Sequence, residues 1–118
     1  MENINLNIIT EDHVAGKWEV KQRVVRTSNE KSPFTTSQHI EIENGIYKSN
    51  NGKECTGKLI VVREEIIFNT QLKFYENDAE VANAIITRLY SEDDGNEKIY
   101  HLTLYFTTGL ELVLQKIN

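Results

Sequence analysis

The chain has a single cysteine, Cys55, and so no internal disulfide. That excludes a stapled scaffold of the exported kind and leaves the fold to be held by buried apolar surface. It also lacks an excess of positive charge, with 18 Asp and Glu against 13 Lys and Arg for a formal net charge of -5. Broad nucleic-acid affinity needs concentrated cationic charge to neutralise phosphates, so no nucleic-acid partner is expected. No apolar stretch approaches the length of a membrane-crossing helix, so membrane insertion is not expected. The opening MENINLNIITEDH has no basic segment followed by an apolar run and a small-residue cleavage site. It does not read as a secretory signal, and a cytoplasmic location is the resulting expectation. The only proline is Pro33, in the polar interval TSNEKSPFTTS, which reads as a loop.

What is present is enough for one compact domain over residues 1–118. A chain of this length buries about two-thirds of its unfolded surface, so a proper core is within reach. No repeat, low-complexity tract or internal linker divides it.

Hydrophobic alternation dominates. In GKWEVKQRVV, Trp18, Val20, Gln22 and Val24 share one face of a strand, and Lys17, Glu19, Lys21 and Arg23 share the other. Ile40 and Ile42 alternate with Glu41 and Glu43, and Asn44-Gly45 then supplies residues suited to a tight turn at positive φ. Asn51-Gly52 offers a second turn of the same kind. TGKLIVVREEIIFNTQLKF reads as one or two strands, with Arg63-Glu64-Glu65 as the turn where it is divided. KIYHLTLYFTTGLELVLQKI is the clearest hairpin: Leu102, Leu104 and Phe106 on one face, a turn at Thr107 to Gly109, then Leu110, Leu112 and Leu114. Residues 78–90 carry two patterns at once. Val81, Ile85 and Leu89 recur at helical spacing after a capping Asn77 or Asp78, whereas Ala82, Ala84, Ile86, Arg88 and Tyr90 alternate as in a strand. Asp93-Asp94-Gly95-Asn96 is a turn in either case.

About eight short antiparallel strands with small turns are best satisfied by an all-β, up-and-down barrel, because closure removes exposed strand edges. An open sheet carrying one short helix at 78–90 is the competing arrangement.

Gly16-Lys17-Trp18 at the entrance of the first long strand resembles the Gly-x-Trp signature of the lipocalin and wider calycin group. That resemblance implies a calycin-like barrel in which Gly16 and Trp18 close one end beneath the first strand. A late basic residue, Lys116 by position, would lie against the indole. A large core residue after a glycine bend is the plainer reading of the same pair, and both make Trp18 mainly structural. Gln22-Arg23 after the tryptophan also resembles the S-type phycobiliprotein lyases, although in that pattern the pair falls one residue nearer the tryptophan, on the opposite face of a strand. Small size, acidity and Gly-x-Trp placement are similar to the staphostatins, whose inhibitory Gly-Thr-Ser-like segment is replaced here by Thr107-Thr108-Gly109-Leu110.

Chemistry-bearing residues are dispersed. His13, His39 and His101 fall in no short ligand motif and read as surface or hydrogen-bonded side chains. Cys55, beside Lys53 in NGKECTG, has no histidine partner assignable by spacing and reads as an isolated thiol. Glu41 and Glu43 read as a solvated strand face, and Asp93-Asp94 as turn residues too short a pattern for calcium. No catalytic residue, metal ligand or cofactor is therefore assigned, and a non-enzymatic protein is expected. The expected function is the binding of a small apolar or amphipathic ligand in the barrel mouth, with Arg23, Tyr47, Tyr90, Tyr105, Thr108 and Gly109 as candidate ligand or partner contacts. The alternatives are a protein-binding inhibitor or immunity protein and a bilin-binding lyase or chaperone. Monomer and homodimer both remain open.

Overall fold

The computed structural model describes residues 2–6, 8–26, 34–50, 54–63 and 69–117. Among these described residues, nine strands and one helical turn follow in the order β1 (Glu2–Asn3), α1 (Glu11–Val14), β2 (Gly16–Val25), β3 (His39–Glu43), β4 (Ile46–Asn50), β5 (Glu54–Val62), β6 (Gln71–Glu76), β7 (Ala79–Asp94), β8 (Glu97–Phe106) and β9 (Leu110–Lys116). Strands β2 to β9 form a closed antiparallel ring, each paired with its chain neighbour except that β2 pairs with β9, and the short β1 adds to the far half of β7. Residues 78–90 belong to a turn and to β7, so the two-way sequence pattern resolves as strand.

The turns follow from residues that tolerate positive φ. Asn44 at 52° and Gly45 at 75° join β3 to β4, the mirror-image turn that matches strand twist in a two-residue hairpin. Asn77 and Asp78, both at positive φ, join β6 to β7. Thr107 to Gly109 join β8 to β9, with Leu102, Leu104 and Phe106 facing Leu110, Leu112 and Leu114 inside the ring. The proposed turn at Asn51-Gly52 and the Glu64-Glu65 division lie outside the described residues.

Three one-residue bulges bend the sheet into its ring, at Lys21 in β2, Val81 in β7 and Thr87 in β7. Each extra residue turns every later side chain of its strand to the other face. After Lys21 the inward residue is Arg23, opposite the buried Leu112, while Gln22 lies opposite Val113 on the outside. The uninterrupted alternation expected for residues 18–24 is therefore corrected: Trp18 and Val20 face in, Gln22 and Val24 face out. After Thr87 the inward set becomes Leu89 and Ser91, and Arg88 and Tyr90 move to the outer wall.

One end of the ring is covered by the N-terminal segment. The Trp18 indole is fully buried, and its Nε1–H donates to the carbonyl of Val14 at 2.9 Å. Arg63 Nη2 donates to the Ile9 carbonyl at 3.1 Å and Thr70 Oγ1 to the Leu6 carbonyl at 3.0 Å. These bonds hold Ile9 and Val14 into the core, where both are buried. The turn α1 is capped by Thr10, whose backbone N–H donates to His13 Nδ1 at 2.9 Å. His13 thus serves a structural bond.

Tyr47 lies across the wall opposite Gly57, where a built Cβ would sit 2.7 Å from Tyr47 Cε1 and 2.1 Å from the Tyr75 carbonyl oxygen. The glycine permits close approach of the ring to the backbone. Gly57→Ala is expected to destabilise the fold by at least about 1–3 kcal/mol through overpacking, read as a lowered urea midpoint. Trp18→Ala is expected to cost about 3–5 kcal/mol, and an unchanged midpoint would remove the indole from the supports of this end.

Candidate functional site

Opposite the covered end, strands β2, β4, β6 and β8 finish and β3, β5, β7 and β9 begin, because neighbours alternate in direction. The interior here holds a ring cluster. Phe34, carried by the turn that precedes β3 and not by a strand, packs its ring 4.6 Å from Phe74, 5.3 Å from Phe106 and 5.5 Å from Tyr47, centroid to centroid. Tyr47 meets Phe74 edge-on at 5.0 Å. All four side chains are at most 1% exposed. Such tilted and offset pairs contribute about 0.5–1.5 kcal/mol each beyond the area they bury.

Against these rings lies a polar set. Arg23 enters the interior through the Lys21 bulge and its Nη2 donates to the Ser37 carbonyl. Its Nε is buried and has no hydrogen-bond partner among the described residues. The hydroxyls of Ser37 and Ser49, both buried, are hydrogen-bonded to each other. Ser37 closes the turn that carries Phe34, its N–H donating to the Phe34 carbonyl at 3.3 Å. One guanidinium therefore grips the backbone of the turn whose aromatic ring fills the barrel.

Across the interior the Tyr47 hydroxyl donates to Glu76 Oε2 at 2.9 Å. Burial, chiefly, and this bond to a carboxylate hold the Tyr47 phenol far above its ordinary value of 10.0, with Glu76 and Cys55 adding electrostatic pressure in the same direction. Glu76 thus has a neutral donor as its partner on the β4–β6 side, whereas Arg23 stands on β2 beside β9.

The structure distributes the residues proposed from sequence among three places. Gly16, Trp18 and Lys116 gather at the covered end: Trp18 pairs with Lys116 in register, and the ammonium lies 5.9 Å from the indole and 5.6 Å from the Tyr100 ring. Gly16 adopts φ of 132° at the start of β2. Lys116 also borders an open groove of about 340 Å³ with Asp12, Gly16 and Glu41. Arg23 and Tyr47 face the interior, and Thr108 and Gly109 lie in the turn at the same end as Arg23, where the Arg26 N–H donates to the Gly109 carbonyl at 2.8 Å. Tyr90 and Tyr105 face outward. Tyr90 stacks on His101 at 4.7 Å, the Arg88 guanidinium carbon lies 4.1 Å from the Tyr90 ring centroid, and His101 Nε2 is 3.7 Å from Glu92. That placement keeps Tyr90 and Tyr105 out of the barrel interior.

Ser49 and Glu76 carried no assignment from the sequence, and Phe34 and Ser37 figured only within the interval read as a loop. Only Phe34 left a signal: a lone large apolar ring within a Ser- and Thr-rich interval, where exposure would be costly. The three histidines stand apart, on α1, β3 and β8. Among the described residues no group of three His, Cys, Asp or Glu side chains is arranged to hold a metal ion, and no helix is long and apolar enough to cross a membrane.

The chain matches no protein-family model, and no curated protein or solved structure shows significant similarity to it.

The raised Tyr47 phenol carries a stability consequence with a definite sign. A proton held more tightly in the folded than in the unfolded state stabilises the fold below the unfolded value near 10.0 and loses that contribution as pH rises beyond it. Unfolding free energy is expected to fall above pH 10 with a slope approaching about 1.4 kcal/mol per pH unit. In Tyr47→Phe this component of the alkaline slope should vanish, as measured by urea denaturation between pH 9 and about 11.

Proposed function

We propose that this protein is a non-enzymatic binding barrel for a small amphipathic ligand that carries an anionic head group, received at Arg23 in the barrel mouth. The observation that carries this reading is the Nε of Arg23, an atom shut off from water and without a hydrogen-bond partner among the described residues, on a part-buried side chain at the inner face of the ring. A guanidinium taken from water is costly unless its donors are satisfied, and orphaned buried donors are rare enough to require a reason. A carboxylate supplies one, since it accepts two parallel N–H bonds from a guanidinium edge. The neighbouring Ser37 and Ser49 hydroxyls add donors of adjustable direction, and the surrounding Phe34, Phe74 and Phe106 suit an apolar body.

The bilin reading is a narrower version of the same chemistry. The one-residue displacement of Gln22-Arg23 from the lyase pattern is offset by the bulge at Lys21, which returns Arg23 to the interior. Open-chain bilins carry propionate groups that an interior arginine would accept. A second reading, a protein-binding module, is supported by the filled interior and by the outward stack of Arg88, Tyr90 and His101. Its contact surface would be the outer wall of β7 and β8.

Isothermal titration of the protein with 3-phenylpropionate, octanoate and biliverdin, each against an uncharged counterpart such as 3-phenylpropanol or octanol, separates these readings. The wild type is expected to prefer a carboxylate over its alcohol by roughly tenfold or more, the scale of one charge-assisted hydrogen-bonded pair. Arg23→Met should erase that preference while leaving the alcohol's affinity in place, an effect that a purely structural arginine would not produce. Equal, negligible binding of every acid and alcohol would sink the small-ligand reading.

A further inference from the structure

Nothing in a barrel wall requires a side chain from a loop turn to fill the interior, yet Phe34 does so. Its ring makes the closest aromatic approach of the cluster, 4.6 Å to Phe74, and stacks at 27° on Phe106. The strand-borne members, Phe74 and Phe106, are 6.0 Å apart at 30°, each turning a surface to the Phe34 ring. The aromatic walls thus belong to the sheet and their occupant belongs to the connection.

The bonds of the turn that carries this occupant include those of Ser37 and Gln38. The Ser37 N–H to Phe34 carbonyl bond is long at 3.3 Å. The Ser37 carbonyl is gripped by Arg23, and the Ser37 hydroxyl by Ser49. The next residue, Gln38, is fixed to the walls on both sides, its N–H donating to Asn50 and its carbonyl accepting from Val20, at 2.8 and 2.9 Å. A displacement of residues 34–37 can therefore end at Gln38 without disturbing the ladder of β3.

We infer that Phe34 is the protein's own occupant of the ligand site, that the ligand is an aryl carboxylate, and that it binds by displacing the Phe34–Ser37 turn. This rests on the Arg23-centred reading above and names the ligand class for it. The aryl group takes the place of the Phe34 ring against Phe74 and Phe106. The carboxylate pairs with Arg23 through the unpartnered Nε and the Nη2 that now serves the Ser37 carbonyl. The same guanidinium thereby exchanges its hold on the turn for a hold on the ligand. Recognition of the anion and release of the internal ring become one event. Such competition lowers the apparent affinity by the fraction of molecules in which the site is vacated, and removing the internal ring restores it.

The test titrates 3-phenylpropionate and octanoate into wild type and Phe34→Ala, and follows hydrogen exchange of the Ser37 amide in the wild type. Phe34→Ala should bind 3-phenylpropionate roughly tenfold or more tightly than wild type, and octanoate should gain less. Saturating 3-phenylpropionate should accelerate exchange at the wild-type Ser37 amide. Phe34→Leu, which keeps apolar volume without a flat ring, provides the comparison if the alanine variant does not fold, and the exchange measurement needs no variant. Binding by wild type with Ser37 exchange unchanged and no gain in either variant would overturn the displacement while leaving the Arg23 reading intact. An equal gain for octanoate would overturn the aryl assignment. Absence of carboxylate binding in wild type and both variants would defeat the Arg23 reading itself, and this inference with it.

Discussion

Pairing of β7 with β8 closes the ring, and the rest of the structure depends on that closure. The 16-residue β7 serves β6 with its first half and β8 with its second, over the register Ala84↔Phe106 to Asp94↔Glu97. A flat strand cannot do this, because successive neighbours in a sheet twist and a ring must also curl. The bulges at Val81 and Thr87 supply the local bend. Once the ring is shut, each inward position either fills with an apolar group or presents a polar group that needs a partner.

Most positions take the first course. Leu102, Leu104, Leu110, Leu112 and Leu114 from the last hairpin meet Ile40, Ile42, Leu72, Ile86 and Leu89 around the ring, all buried. At the covered end the Trp18 indole combines a large apolar surface with one satisfied donor, so the N-terminal segment is tied to the core by a bond that excludes water. The other end takes the second course. Arg23, Ser37, Ser49, Tyr47 and Glu76 form two small polar groups, and one of them leaves a guanidinium nitrogen without a partner among the described residues. The two ends thus differ in kind: one is completed by its own hydrogen bonds, and the other retains an unmet donor beside a loop-borne aromatic ring. The proposed ligand site follows from that contrast.

Much of the architecture was legible because β-structure writes itself in a period of two. The Leu102–Leu114 hairpin and the Asn44-Gly45 turn stand where alternation and turn chemistry place them. The residues between 78 and 90 were ambiguous for a physical reason: bulges break the period. Ala82, Ala84, Ile86 and Leu89 face inward, a spacing of two, two and three that imitates neither a regular strand nor a regular helix. The same slip at Lys21 exchanged Gln22 for Arg23 on the inner face. Phe34 was hidden differently, since an aromatic residue in a polar loop acquires its place only when distant strands bring Phe74 and Phe106 around it.

The sequence by itself determined an antiparallel, turn-rich β chain with enough alternating apolar residues for a closed barrel and a buried indole near its start. These are local properties, carried by residues two apart or by a pair at a turn. Tertiary structure alone decided which residues meet within the mouth, because a one-residue bulge is set by the strain of closing the ring and inverts every side chain after it. It also decided that a loop phenylalanine fills the interior and that an arginine holds the turn carrying it. Those contacts join residues far apart in the chain, whose meeting depends on the curvature of the whole sheet.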